Sequence, residues 1–217
     1  MLVLIYFYSG TPGSGKSLHV AEVIYRSLLK GHDVIANFEI DTSFLMKKKK
    51  HGLFTYINNY DLEPDFLYQY SKNYFSNRKK IKEGQIIVVI DEASLLFNSR
   101  DWNVPKRRDW LTFFAQHRHL GFDIILVSQF DKAIDKQVRA LFEYEVVHRN
   151  IRNFKAFGFI IALFFGGSLF VAVTKWYGAN EKISQRFFKF RKKYGSLYDT
   201  HGMFENPHAN NKKRTAN

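Results

Sequence analysis

The first continuous apolar run, Val3 to Tyr8, is of β type and is broken by the glycines between Gly10 and Gly15. Beyond the break, Leu18, Val20, Ala21, Val23, Ile24, Leu28 and Leu29 recur at helical spacing until Gly31. The opening segment therefore predicts strand, loop and helix. Met1 to Tyr8 lacks a basic region and runs straight into the glycines, so it reads as a buried strand and not as a signal peptide. Asp33 to Ile40 gives a second strand. A long polar and aromatic stretch, 41–84, contains Lys47 to Lys50 and reads as an insertion or lid. Gln85 to Ile90 holds five consecutive apolar residues after the glutamine, the pattern of a central parallel strand covered on both faces. Pro105 opens a helix through Trp110, Phe113, Phe114 and His117 that closes near Gly121. Asp123 to Gln129 follows as another buried strand, Asp131 to Phe142 as a helix, and Glu143 to His148 as a fifth strand. Apolar strands alternating with helices predict an α/β domain with a largely parallel sheet over 1–150.

Past that core the pattern changes. Ala156 to Thr174 is nineteen consecutive uncharged, mostly apolar residues, close to the length needed to cross a bilayer as a helix. Gly166-Gly167 interrupts it, both flanks are basic, and Leu169 to Tyr177 is rich in aromatic and β-branched residues that favour strand. Strands forming a buried hairpin centred on the glycine pair are the preferred reading, with a membrane span as the alternative. The extension runs over 151–204. The Asn-, Lys- and His-rich tail, 205–217, is expected to be disordered.

Length and composition narrow the class. At 217 residues with 46% hydrophobic positions the chain folds, as one substantial domain with an appendage. Without cysteine there is no disulfide framework and no thiolate metal site. The net charge is +13. Residues 151–217 hold twelve basic and three acidic residues, a surplus suited to nucleic acid or an anionic membrane and equally to a solvated basic face.

The chemistry concentrates at Gly10-Thr11-Pro12-Gly13-Ser14-Gly15-Lys16-Ser17, with Leu18 following. A triphosphate must be gripped without bulk, so a tight glycine turn presents backbone N–H donors at a helix N-terminus. Lys16 brings a cation to the β- and γ-phosphates of ATP, and the Ser17 hydroxyl completes a Mg²⁺ shell. This is the full P-loop pattern, in its required context of strand before and helix after. Asp91, ending the strand at Ile90, is the expected Mg²⁺ partner, and Glu92 is placed to polarise the attacking water. Gln129 ends the next strand, where its amide could face the γ-phosphate or be an ordinary surface glutamine. Arg100, Arg107, Arg108 and Arg118 are candidate charge-stabilising fingers. His117 and His119 lack a third ligand and read as surface helix.

Further blocks resemble the zonula occludens toxin (Zot) family. They are Ile90-Asp91-Glu92-Ala93, Phe97-Asn98-Ser99-Arg100-Asp101-Trp102-Asn103, His117 to Ile124, Val127-Ser128-Gln129, Ile134 to Arg139, and Tyr198-Asp199-Thr200. They span nearly the whole chain, and the Phe-Asn-x-Arg-x-Trp and Leu-Gly-Phe-Asp blocks are the most specific. The resemblance implies a RecA-like sheet, ATP hydrolysis, and a γ-phosphate sensor at Gln129. It also implies action as a homo-oligomer on the cytoplasmic face of the bacterial inner membrane, working with phage assembly proteins to export phage DNA. Two rival readings stay open at this point. One is a packaging or translocating ATPase that grips single-stranded DNA or a DNA–protein complex through Lys47 to Lys50 and the basic C-terminal third. The other is a non-hydrolysing, nucleotide-dependent membrane-docking scaffold.

Overall fold

In the computed structural model, residues 4–46, 48–100, 106–153 and 169–197 are described. The apolar runs become parallel strands: β1 (Ile5–Ser9), β2 (Asp33–Ala36), β3 (Phe54–Tyr56), β4 (Ile86–Ile90), β5 (Phe122–Val127) and β6 (Tyr144–Asn150). Two antiparallel strands, β7 (Leu169–Trp176) and β8 (Glu181–Lys189), extend the β6 edge. The order across the sheet is β3-β2-β4-β5-β1-β6-β7-β8. Every residue of β4 and β5 is buried, because these strands lie inside the sheet with side chains packed on both faces. The architecture is the expected α/β class, with a mostly parallel sheet and a small strand-rich C-terminal extension.

Each face has its own core. On one, α1 (Lys16–Leu29) sets Val20, Ile24 and Leu28 against Tyr8, Val34, Val89, Val127 and Val146. On the other, α2 (Pro64–Phe75) and α3 (Arg107–Gln116) bring Leu67, Phe75, Trp110, Phe113 and Phe114 onto Phe7, Ile35, Val88 and Ile90. Two short helices follow among the described residues, α4 (Lys136–Arg139) and α5 (Lys192–Gly195).

Several expectations change on contact with the fold. The stretch 41–84, read as an insertion or lid, supplies β3 to the parallel sheet and α2 to the core, drawn in by Leu62, Leu67 and Phe75. Asp131 to Phe142 is not one helix. Asp131–Ala133 is a 3-10 turn and Ile134 is extended and fully buried, bridging to Asn98. Only then does α4 begin, capped by the Asp135 side chain accepting from the Gln137 and Val138 amides. The third major helix starts at Arg107, and Pro105 lies outside the described residues. His117 is buried, its Nδ1 2.6 Å from the Phe114 carbonyl, so it is not a surface residue. Of the apolar run 156–174, residues 169–174 belong to β7, which turns into β8 near residues 177–180. Gly166-Gly167, Tyr198-Asp199-Thr200 and the tail 205–217 lie outside the described residues. Among the described residues no helix is long and apolar enough to cross a membrane.

The blocks that carry the family resemblance include structural fastenings. Gly121 adopts φ +81°, and a Cβ there would sit 2.6 Å from Phe75 Cζ. Phe97 is wedged between Trp110 and Phe114, and its carbonyl accepts from the Asp135 amide at 2.8 Å. Asp123 is buried and accepts from the Leu4 amide at 3.3 Å. Burial raises its pKa from 3.8 to about 6. A carboxyl whose folded pKa lies above its unfolded value binds its proton more tightly when folded. Asp123 therefore favours the folded state below pH 4 and withdraws that support as pH rises through about 6. Asp123→Asn, which keeps the acceptor for Leu4, should raise stability at pH 7.5 by about 1–3 kcal/mol. At pH 4.5 the gain should shrink to about 1 kcal/mol or less. Thermal melts of both proteins across this range test it, and an equal difference at both pH values would contradict it.

Candidate active site

The loop between β1 and α1 takes a shape that only glycine supplies cheaply. Gly10, Gly13 and Gly15 have φ of +140°, +73° and +95°, and the Ser14 amide closes the turn on the Thr11 carbonyl at 3.1 Å. Gly15 is the N-cap of α1, which has no side-chain cap and no acidic residue in its first turn. The leading amides of α1 are left for an anion. Thr11 and Pro12 are exposed on the crest, while the Ser14 hydroxyl is buried with no protein partner. Leu18 packs into the core beneath α1, so only its main chain is available to the loop.

Lys16 folds over the turn, its Nζ donating to the Gly10 carbonyl at 2.7 Å and the Thr11 carbonyl at 3.3 Å. Burial lowers its pKa, and the negative charges of Asp91 and Glu92 oppose that shift. The two carboxylates at the end of β4 thus lie in the same electrostatic neighbourhood as Lys16, although β5 runs between β4 and β1. Glu92 responds in the opposite sense. Burial and the Asp91 charge raise its pKa, with Lys16 pulling it down. Its φ of +46° is left-handed and unusual for a non-glycine residue. The Glu92 amide donates to Asp91 Oδ1 at 2.9 Å.

The donor set Ser17 hydroxyl and Asp91 carboxylate suits Mg²⁺, a hard cation held by one or two protein oxygens plus substrate phosphates and water. Among the described residues no cluster of three or more His, Cys, Asp or Glu could hold a metal by itself. Gln129 sits beside the loop, its carbonyl accepting from the Gly10 amide at 3.4 Å. It lines a cleft of about 490 Å³ with Ser9, Gly10, Thr11, Glu145 and Arg149. Of the candidate arginines, Arg107 pairs with Asp135 and Arg118 with Glu143, each at 2.6 Å. Arg100 and Arg108 are exposed.

Sequence reasoning overlooked three sets of residues around the loop. Asn37, just past β2, holds the Asp91 main chain with its side-chain amide. Its position at a strand's C-terminal end, like Asp91 and Gln129, was a readable signal. The Ser9 hydroxyl donates to Glu145 at 2.6 Å. A buried pair, His19 Nδ1 and His148 Nε2 at 2.8 Å, ties α1 to β6 behind the loop, with burial pushing the pKa values down to about 4 and about 3. Their separation by 129 positions left no local signature.

A family model described as Zonular occludens toxin (Zot) matches residues 4–192. The gene 1 protein of Enterobacteria phage I2-2 is 29% identical over 176 residues, covering 76% of this chain and 46% of that protein. That of Enterobacteria phage M13 is 28% identical over 179 residues, covering 78% and 47%. The chain spans about half the length of the curated relatives it matches. Among solved structures, the N-terminal domain of zonular occludens toxin from Neisseria meningitidis superposes with a TM-score of 0.54 at 18% identity, covering 92% of this chain and 100% of that one. The DNA-packaging ATPase from Sulfolobus turreted icosahedral virus gives 0.50 at 14% identity, covering 86% and 97%. At such identities the likeness speaks for the fold alone, here the α/β architecture with its mostly parallel sheet.

Proposed function

We propose, from the premise that this chain belongs to the zonular occludens toxin (Zot) family, that it is a Mg²⁺-dependent ATPase driving assembly and export of filamentous-phage-like particles. The observation that carries this reading is the convergence of the left-handed glycine loop and Lys16 with Asp91 and Glu92. The gene 1 proteins of filamentous phages among its relatives support the particle class.

In this reading the loop amides and the α1 N-terminus bind the phosphates, and Lys16 exchanges its carbonyl partners for phosphate oxygens. Ser17 and Asp91 would hold Mg²⁺, which when bound neutralises charge on the phosphates. Glu92, near both Lys16 and Asp91, accepts the proton of the attacking water. Gln129, just past the end of β5 and between β4 and β1, reports the γ-phosphate. Oligomerisation, DNA as cargo, and placement at the cytoplasmic face of the inner membrane belong to the same proposal. So does transmission of the hydrolysis stroke through 41–84.

The test is ATP turnover of the purified protein, in detergent and without it, with and without single-stranded DNA. Turnover independent of DNA supports the export motor. Strong stimulation by DNA that collapses with salt points instead to a motor acting directly on nucleic acid. Nucleotide binding without turnover would leave the scaffold reading.

A further inference from the structure

We infer that Asn59 and Asn37 form a positioning relay that sets the Asp91–Glu92 main chain, making turnover depend on the turn between β3 and α2. The relay rests on the reading of Glu92 as the water-activating group for its effect on rate. Its geometry stands apart from that reading.

β2 and β4 pair in register up to Ala36 and Val89, and the Asn37 amide makes a last, longer contact to the Val89 carbonyl at 3.4 Å. From there the Asn37 side chain takes the place of a neighbouring strand. Its Oδ1 accepts from the Asp91 amide at 2.7 Å, and its Nδ2 donates to the Asp91 carbonyl at 2.8 Å. Both peptide groups flanking the Asp91 Cα are fixed by one side chain. The next residue, Glu92, is the one held at φ +46°, a conformation that persists only where the surroundings over-determine it.

The second hydrogen of Asn37 Nδ2 goes to Asn59 Oδ1 at 2.8 Å. With both hydrogens used and Oδ1 engaged, the amide has one consistent orientation. Asn59 lies in a tight turn whose Asn58 Oδ1 accepts from the Tyr60 and Asp61 amides at 2.8 and 3.0 Å. Ile57 and Leu62 anchor this turn in the core, and Tyr60 stands 87% exposed at its tip. A path of directional hydrogen bonds therefore runs from a solvent-facing turn to the main chain of Asp91, next to Glu92, without touching the glycine loop. Any displacement of the turn must be absorbed at Asn37 and passed to Glu92.

The role of Asn59 in this path is that of an acceptor, so Asn59→Asp preserves it and Asn59→Ala removes it. Asn59→Ala should lower kcat by about tenfold, the worth of one lost hydrogen bond. Asn37→Ala, which also strands the Asp91 amide, should lower it by roughly a hundredfold. Asn59→Asp should keep a near wild-type kcat. The affinity for a fluorescent ATP analogue, measured without Mg²⁺, should stay within about twofold in all three, since the loop is untouched. Hydrogen exchange of the peptide containing Asp91 and Glu92 should quicken in both Ala variants and not in Asn59→Asp. Equal behaviour of Asn59→Ala and Asn59→Asp in rate and exchange would overturn the relay. So would a loss confined to nucleotide affinity. If the wild-type protein turns over no ATP, the ATPase reading fails, and the exchange measurement still decides the relay.

Discussion

Glu92→Gln should reduce ATP turnover by about 10²–10⁴-fold, the usual contribution of a positioned general base, while nucleotide affinity stays within about twofold. The amide is nearly isosteric, so the loop, Lys16 and Asp91 keep their places and only the proton acceptor is lost. The pH profile adds a second signature. Burial and the Asp91 charge raise the Glu92 pKa, with Lys16 opposing. A base must be ionised to act, so wild-type turnover should fall on acidification with a limb above the ordinary glutamate range. The residual rate of the Gln variant should lack that limb. Single-turnover rates from pH 5 to 8, with a fluorescent ATP analogue to follow binding, provide the check. A variant retaining full turnover would remove Glu92 from the chemistry and favour the scaffold reading.

Gly10→Ala should weaken nucleotide binding by about a hundredfold or more, equivalent to roughly 3 kcal/mol. Two costs combine at this position. The backbone sits at φ +140°, and a Cβ would lie 2.5 Å from the His148 carbonyl oxygen and 2.7 Å from Ser14 Oγ. The first of these is main chain of β6 and cannot rotate away, so the loop itself must shift. Gly13→Ala is the matched comparison, because φ is +73° there but a Cβ meets nothing within 4 Å. It should cost about 1 kcal/mol from the left-handed backbone alone. Titration of both variants with the fluorescent analogue separates steric from conformational cost. Equal losses at the two positions would mean that contact with β6 does not shape the loop.

These two expectations differ in how far the sequence could have supported them. Glu92 follows an apolar run, downstream of a complete phosphate-binding pattern, and its role could be argued from that order alone. The intolerance at Gly10 could not, because His148 lies far away in sequence and reaches the loop only through the parallel pairing of β1 with β6. Gln129 is an intermediate case. Its place at the end of a buried strand was readable, whereas its contact with Gly10 required β5 to neighbour β1.

The linear pattern determined what depends on neighbouring residues: the strand–loop–helix opening, the glycine positions, the burial of β4 and β5, and the parallel class. Local sterics and hydrophobic periodicity act over a few residues, so they are legible along the chain. The polar and aromatic composition of 41–84 concealed that Leu67 and Phe75 belong to the core, since burial depends on which sheet face lies opposite. Likewise, Asp131 to Phe142 has a helical pattern, and pairing of Ile134 with Asn98 broke it. Only the tertiary structure decided the strand order, the seating of Asn37 on Asp91, and the meeting of His19 with His148. Each of these joins segments distant in sequence, and their hydrogen bonds and contacts have no counterpart in local propensity.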